Sequence, residues 1–283
     1  MLKQRIITAV VLLAILLPAM FWRAPWPFIL IILLLIAAAA WEWARLNGLA
    51  QTGSLITAAV CLLACGGAWL AGLPTRRLPW LWVVAGALWV LAGGWMLRRG
   101  VAGWPRIPRP IRVLFGVLAL WLAWLAVAQA KEIGVNFLLS ILVLVWIADI
   151  SAYFAGRTLG LKFTKARLAP AISPGKTWEG VWGGMAGVVV LAIAWTAADM
   201  ALQPRAPSLY TRLAAHGWWM LAIGAIFLTA MSVVGDLVES LVKRSAGMKD
   251  SSQLLPGHGG VLDRIDALLP TLPLAMMLGS LAS

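Results

Sequence analysis

Nine stretches of this 283-residue chain, at about 6–22, 26–44, 54–73, 79–97, 112–130, 133–154, 180–200, 217–239 and 265–282, are dominated by apolar residues. Each matches the roughly 17–25 residues that carry an α-helix through the hydrocarbon of a bilayer. Backbone N–H and C=O groups find no water there, so such runs are confined to hydrogen-bonded helices. The pattern predicts an all-α polytopic integral membrane protein with about nine transmembrane helices. The run 6–22 follows Lys3 and Arg5 and resembles a signal peptide. No small-residue cleavage site precedes a soluble domain, so a retained helix is expected, which could form a tight hairpin with 26–44 across Arg23 to Pro25.

Composition agrees. With 62% hydrophobic and 12% charged residues, an ordinary soluble domain is excluded. The net charge of +13 would suit a nucleic-acid binder if it lined one soluble face, but the basic residues sit in short clusters between apolar runs. Positive loops of a membrane protein explain them, and no nucleic acid partner is expected. Cys61 and Cys65, four apart in an apolar run, are expected to pack within a helix; a zinc site needs more ligands.

Nine spans place 17 of the 23 Lys and Arg residues on the side of the N-terminus, and only Arg23, Arg76, Arg77, Lys131, Arg205 and Arg212 opposite. The excess marks the cytoplasmic side, so the N-terminus and the polar loops 155–179 and 240–264 are expected to face the cytoplasm, where nucleotides are. Residues 1–130 contain one acidic residue, Glu42, and the remaining 153 contain nine. Residues 1–130 therefore read as a scaffold of about five helices, with Trp22, Trp26, Trp41, Trp43, Trp80 and Trp82 as interface anchors, and 131–283 as the catalytic region.

A carboxylate at mid-helix in a membrane costs about 2.5–3.5 kcal/mol on insertion scales, so Asp149 and Asp236, near the cytoplasmic ends of the sixth and eighth runs, point to function. Asp236, Ser240 and Lys243, spaced i, i+4, i+7, share a helical face. Asp263 and Asp266 share another where the ninth run begins; there, dipole stabilisation worth about 0.3–1 kcal/mol is an alternative, and both can hold. The four aspartates lie at one membrane depth and could converge on one or two divalent cations. Mg2+ takes one or two carboxylates and fills its other positions with water and substrate phosphates. A cation transporter could also use these aspartates, but it leaves the adjacent Lys/Arg clusters and the His258-Gly259-Gly260 turn unexplained.

Two polar segments suit phosphate. In 171–184, AISPGKTWEGVWGG, Ser173, Lys176 and Thr177 surround a Pro-Gly turn ahead of a helix with Glu179 in its first turn. Amides at such a start attract anions and Lys176 adds a point charge, although the glycine spacing is not that of a P-loop. A capped helix start after a basic loop is the alternative. Ser240 to Asp266 holds Lys243, Arg244, Lys249 and Arg264 beside Asp250, Asp263 and Asp266. Within it, His258, between Pro256-Gly257 and Gly259-Gly260, reads as a turn with exposed amides able to touch a phosphate or a ribose. The alternative is a charged loop between two helices.

The residues Ser240, Lys243-Arg244, Lys249-Asp250, His258-Gly259-Gly260, Asp263-Arg264 and Asp266 together resemble the C-terminal signature of the phosphatidate cytidylyltransferases, also called CDP-diacylglycerol synthases. SPGKTWEG and the stretch from Asp149 to Arg157 are similar as well, with Ser151 where glycine is common. The resemblance covers roughly 140–270, while the N-terminal helices match only in kind. It implies transfer of a cytidylyl group from CTP to phosphatidate with Mg2+, the lipid phosphate attacking the α-phosphorus in line. It further implies Asp236 and Asp263 as foremost metal ligands, with Asp149 and Asp266 next. Lys176, Lys243, Arg244, Lys249 and Arg264 would neutralise phosphates, and Ser173 and Ser240 would donate hydrogen bonds. Asp236, Asp263, Lys176, Lys243 and Arg264 are the implied catalytic set, with Thr177, His258, Gly259 and Gly260 on the substrates. The implied setting is a bacterial cytoplasmic (inner) membrane with the site facing the cytoplasm and membrane lipids around it; a homodimer is compatible. An enzyme acting on an archaeal-type ether lipid phosphate would share these residues.

Overall fold

The computed structural model describes residues 2–282, and the side chains of Leu2, Lys3 and Arg5 lie outside the described residues, so the two N-terminal charges counted above have no described position. The helices are α1 (Leu2–Phe21), α2 (Trp26–Leu46), α3 (Gln51–Leu70), α4 (Pro79–Arg99), α5 (Arg109–Ile133) and α6 (Val135–Leu159). After a hairpin of β1 (Arg167–Ala169) and β2 (Ser173–Thr177) come α7 (Trp178–Leu202), α8 (Leu209–Ala215), α9 (Trp218–Ser245), α10 (Leu262–Ile265) and α11 (Leu268–Leu281). Among the described residues eight helical segments are long and apolar enough to cross a membrane, and α1 carries a shorter apolar stretch, Ile6–Phe21. The chain is a largely helical polytopic membrane protein.

Contacts sort the polar residues to two ends of the bundle. At one end, Trp104 Nε1 donates to Asn47 Oδ1 at 3.1 Å, Trp43 Nε1 to the Arg112 carbonyl at 2.9 Å, and Arg244 Nε to the Ile172 carbonyl at 3.4 Å. At the other, Gln129 Nε2 donates to the Arg76 carbonyl at 2.9 Å and Lys131 Nζ to the Trp22 carbonyl at 3.2 Å.

Four expectations need correction. The 171–177 segment is not a free Pro-Gly turn: Ser173 to Thr177 pairs antiparallel with Arg167 to Ala169, and Arg167 Nη1 donates to the Pro174 carbonyl. Helix α6 runs to Leu159 and α9 to Ser245, which shortens the loops to 160–177 and 246–261. Nothing between Ser240 and Ser245 breaks a helix, and α9 stops only where Gly247 takes φ +70°, with the Met248 N–H on the Lys243 carbonyl at 2.9 Å. The ninth run is interrupted between α10 and α11, because Pro270 has no N–H to give the Asp266 carbonyl. Finally, Trp43 and Trp82 are not interface anchors but are 3% and 1% exposed, their indole N–H groups satisfied by the Arg112 carbonyl and by Gln129 Oε1. Trp22, Trp26 and Trp80 are exposed as expected. Cys61 and Cys65 are free and buried.

Candidate active site

Helices α6 and α7 form the most extensive helix pair, and their seam is built from small residues. A Cβ on Gly184 would lie 3.0 Å from the Ala148 carbonyl, and one on Gly180 3.0 Å from that of Ala152. At Gly187 it would overlap Ser151 Oγ, so the serine hydroxyl has room only because residue 187 is glycine. Close approach of backbones is what such residues permit in a membrane. At the loop end of this seam α6, β2, α7 and α9 enclose a cavity of about 430 Å3, lined by Asp149, Tyr153, Arg157, Lys176, Thr177 and Asp236 among others.

Lys176 Nζ forms an ion pair with Asp236 Oδ2, and Ser240 Oγ donates to Asp236 Oδ1 at 3.2 Å. Asp149 is within electrostatic reach of Asp236, Lys176 and Arg264. Thr177 caps α7 by accepting the Gly180 N–H at 3.2 Å. Glu179 does more than face the helix dipole. It is buried, and its Oε1 accepts from Phe163 N at 3.1 Å, Thr164 N at 2.7 Å and Thr164 Oγ1 at 2.9 Å, which ties the loop after α6 to the start of α7.

Beside the cavity lies a second cluster. Two turns beyond Asp236 on α9, Lys243 Nζ sits 2.5 Å from Glu239 Oε2 and 2.6 Å from Asp263 Oδ1. Asp263 Oδ2 also accepts from Ser251 N at 2.9 Å, Ser251 Oγ at 2.9 Å and Gly260 N at 2.8 Å. From α2, fully buried Glu42 reaches the same loop. It accepts from Ser251 Oγ at 3.1 Å, Ser252 Oγ at 2.5 Å, Val261 N at 3.0 Å and Leu262 N at 2.7 Å. The amides that follow His258-Gly259 therefore face protein carboxylates and not an open phosphate site, contrary to expectation. Gly260 is obligatory there, since any Cβ would overlap both Ser251 Oγ and the Glu42 carboxylate.

The predicted residues are thus divided. Asp149, Lys176, Thr177 and Asp236 line the cavity, Ser240 touches Asp236, and Asp266 is within electrostatic reach of it. Lys243 and Asp263 belong to the adjacent cluster. Ser173 is half-buried on the hairpin, while Arg244, Lys249 and Arg264 are exposed. Gly259 accepts the Leu255 N–H at 2.8 Å in the turn that carries half-buried His258. The sequence reading gives no site role to Arg157 and Tyr153, which lie within the Asp149 to Arg157 stretch, nor to Glu239, Ser251 and Glu42. Glu239 had a signal, being four residues before Lys243; so did Glu42, the lone acid of the first 130 residues. A buried carboxylate in an apolar stretch marks function by default, and reading that half as scaffold passed over it.

Among the described residues no group of three or more His, Cys, Asp or Glu side chains is disposed to hold a metal ion, so the four aspartates do not form one cage. Asp263 takes four donors within the protein; Asp236 also has a donor on each oxygen, Lys176 Nζ and Ser240 Oγ, but it opens on the cavity. Asp149 and Asp236 on the cavity wall still fit a hard cation that draws its remaining ligands from water and phosphate, as Mg2+ does.

The chain matches the model of the family described as the cytidylyltransferase family over residues 3–282. It is 39% identical over 281 residues to a phosphatidate cytidylyltransferase of Pseudomonas aeruginosa, covering 96% of this chain and 95% of that one. Its identity to the Haemophilus influenzae protein of the same name is 36% over 294 residues, with 96% of each covered. A Bacillus subtilis protein of that name is 36% identical over 160 residues, 56% of this chain. Similarity is not confined to 140–270: the N-terminal helices align with those of the first two relatives as well.

Proposed function

The chain belongs to the cytidylyltransferase family, a family of nucleotidyl-transferring enzymes, and from that premise we propose that it transfers the cytidylyl group of CTP to phosphatidate, giving CDP-diacylglycerol and pyrophosphate. The observation that carries the reading is the cavity in which Lys176 and Arg157 stand beside Asp149 and Asp236 at the loop end of α6, α7 and α9. An oxygen of the lipid phosphate forms the new bond to the α-phosphorus of CTP as the bond to the β-phosphate breaks. The attacking group is already an anion, so no covalent nucleophile from the protein is needed.

On this reading Lys176 exchanges Asp236 for the triphosphate and neutralises the charge that builds on leaving pyrophosphate. Arg157, held by a 2.8 Å bond from its Nη1 to Tyr153 Oη, offers a second cation at the cavity rim. Lys243, set between Glu239 and Asp263, contributes through position and field. Asp149 and Asp236 would hold one or two divalent cations, with Asp266 and Asp263 completing the acidic set, and a bound Mg2+ supplies charge neutralisation and in-line alignment of the phosphates. Tyr153 and Phe154 on α6 and Trp178 and Trp182 on α7 are exposed next to the cavity, an apolar surface suited to the acyl chains.

We place the loop end in the cytoplasm of an inner membrane from the Lys/Arg excess. Helix α1 would then be a ninth crossing: Thr8 Oγ1 donates to the Pro256 carbonyl at 2.8 Å at the loop end, and Lys131 Nζ to the Met20 carbonyl at 2.5 Å at the other. The deciding experiment is purified protein with labelled CTP, phosphatidate and Mg2+. A lipid-soluble cytidine product that requires all three is expected. Its absence, or product only with an ether-linked lipid phosphate, overturns the assignment.

A further inference from the structure

A second cavity, of about 650 Å3, opens at the other end of the bundle, bounded by residues 74–79, the ends of α5 and α11, the start of α6, and α8. It has no lining residue in common with the first. Three arginines, Arg76, Arg77 and Arg212, line it against one acid, Glu132. No ion pair involving any of these four occurs among the described residues.

The recess is built. Gln129 Nε2 donates to the Leu73 and Arg76 carbonyls, each at 2.9 Å, and Gln129 Oε1 accepts from Trp82 Nε1 at 3.0 Å, so the segment bearing Arg76 and Arg77 is pinned to α4 and α5. Arg212 lies over the Phe137 ring, Cζ 4.9 Å from its centroid, and its Nε is buried without a hydrogen-bond partner among the described residues. Burial also holds that guanidinium below the usual arginine pKa. Trp82, Phe137 and Met276 back the recess and are themselves buried within the protein.

Three guanidinium groups around one carboxylate leave an excess of positive charge, which a fixed anion would balance. The depth, at helix ends beside the exposed Trp80, is that of lipid headgroups. We infer that this cavity binds the phosphate of an anionic phospholipid in the leaflet opposite the catalytic cavity. Inorganic phosphate shares the charge but has no acyl chains to hold it at that depth.

The full-length protein in detergent is titrated by native mass spectrometry with phosphatidylglycerol, phosphatidylcholine and inorganic phosphate. Phosphatidylglycerol should bind most tightly. The pair Arg76→Gln/Arg77→Gln should weaken it about five-fold per arginine, the factor for about 1 kcal/mol per cation near an anionic headgroup. Arg212→Gln should weaken it at least as much. Turnover should stay at the wild-type level in these variants, and Lys176→Ala, at the other cavity, should not change lipid binding. Equal binding of the two lipids, unchanged binding in the Arg76/Arg77 variant, or saturation by inorganic phosphate alone would overturn the inference. Arg76 and Arg77 are exposed, so their variant remains a test even if Arg212→Gln fails to fold.

Discussion

Glu42 and Asp263 meet through one hydroxyl: Ser251 Oγ lies 3.1 Å from Glu42 Oε2 and 2.9 Å from Asp263 Oδ2. One hydroxyl proton serves two carboxylates, and the backbone N–H groups of Ser251, Gly260, Val261 and Leu262 satisfy their other lone pairs. The relationship fixes the 246–261 loop to α2 on one side and, through Lys243, to α9 on the other. An acidic residue of the second helix thereby sets where the signature segment lies.

Glu42→Gln keeps the shape but presents an amide N–H2 to donors that need an acceptor. Each buried N–H left without a partner costs about 1–3 kcal/mol. Turnover should fall on the order of ten-fold or more, and the thermal unfolding midpoint in detergent should drop. Glu42→Asp should recover part of both, because the charge remains. A Glu42→Gln enzyme with wild-type stability and rate would mean the loop is held by other contacts.

Asp236→Asn and Asp149→Asn should abolish turnover while leaving the fold intact, since both line the cavity and, among the described residues, neither accepts a backbone N–H from a loop. Asp263→Asn should lose activity and stability together, because its carboxylate takes four donors. Asp250, exposed and outside both clusters, should tolerate substitution. Measuring rate beside melting temperature separates the two classes, and stable, active Asp236→Asn at saturating Mg2+ would remove that residue from the proposed metal site.

Chelation should stop turnover and added Mg2+ should restore it. The restoring concentration should rise in Asp149→Asn if that carboxylate is a ligand. Full activity in excess chelator would end the proposal of a divalent cation.

Lys176→Ala should lower kcat/KM for CTP on the order of 100-fold, the usual loss for one charge-stabilising donor. The KM for phosphatidate should move much less, and Lys176→Arg should recover only part, because a planar fork does not replace a compact ammonium. The reverse pattern, with CTP spared and phosphatidate affected, would put Lys176 on the lipid side.

Topology can be read with single cysteines in a Cys61- and Cys65-free background. Ser252 is a poor position, being buried 2.5 Å from Glu42, whereas neighbouring Gln253 is exposed. Cysteine at Gln253 or Lys165 should react with an impermeant thiol reagent only from the cytoplasmic side. Labelling from outside intact cells would invert the orientation.

Run length and the segregation of charge between runs determined, from sequence alone, that this is a helical membrane protein with its polar residues gathered in a few segments. Both follow from local composition, because the bilayer imposes length and helical hydrogen bonding on each run separately. The i, i+4, i+7 spacing likewise set Asp236, Ser240 and Lys243 on one face, since helical geometry is local, and Ser240 does bond to Asp236. What only the tertiary structure decided are the partners across long separations. Glu42 takes donors from residues 209 to 220 positions away, Lys176 pairs with Asp236 across 60, and Trp82 is buried because Gln129, 47 residues on, satisfies its N–H. The turn after His258 looked open to a ligand because glycines and a histidine are consistent with exposed amides. Whether those amides face solvent or a buried carboxylate depends on what packs against them, and no spacing within the segment encodes the helix that supplies Glu42.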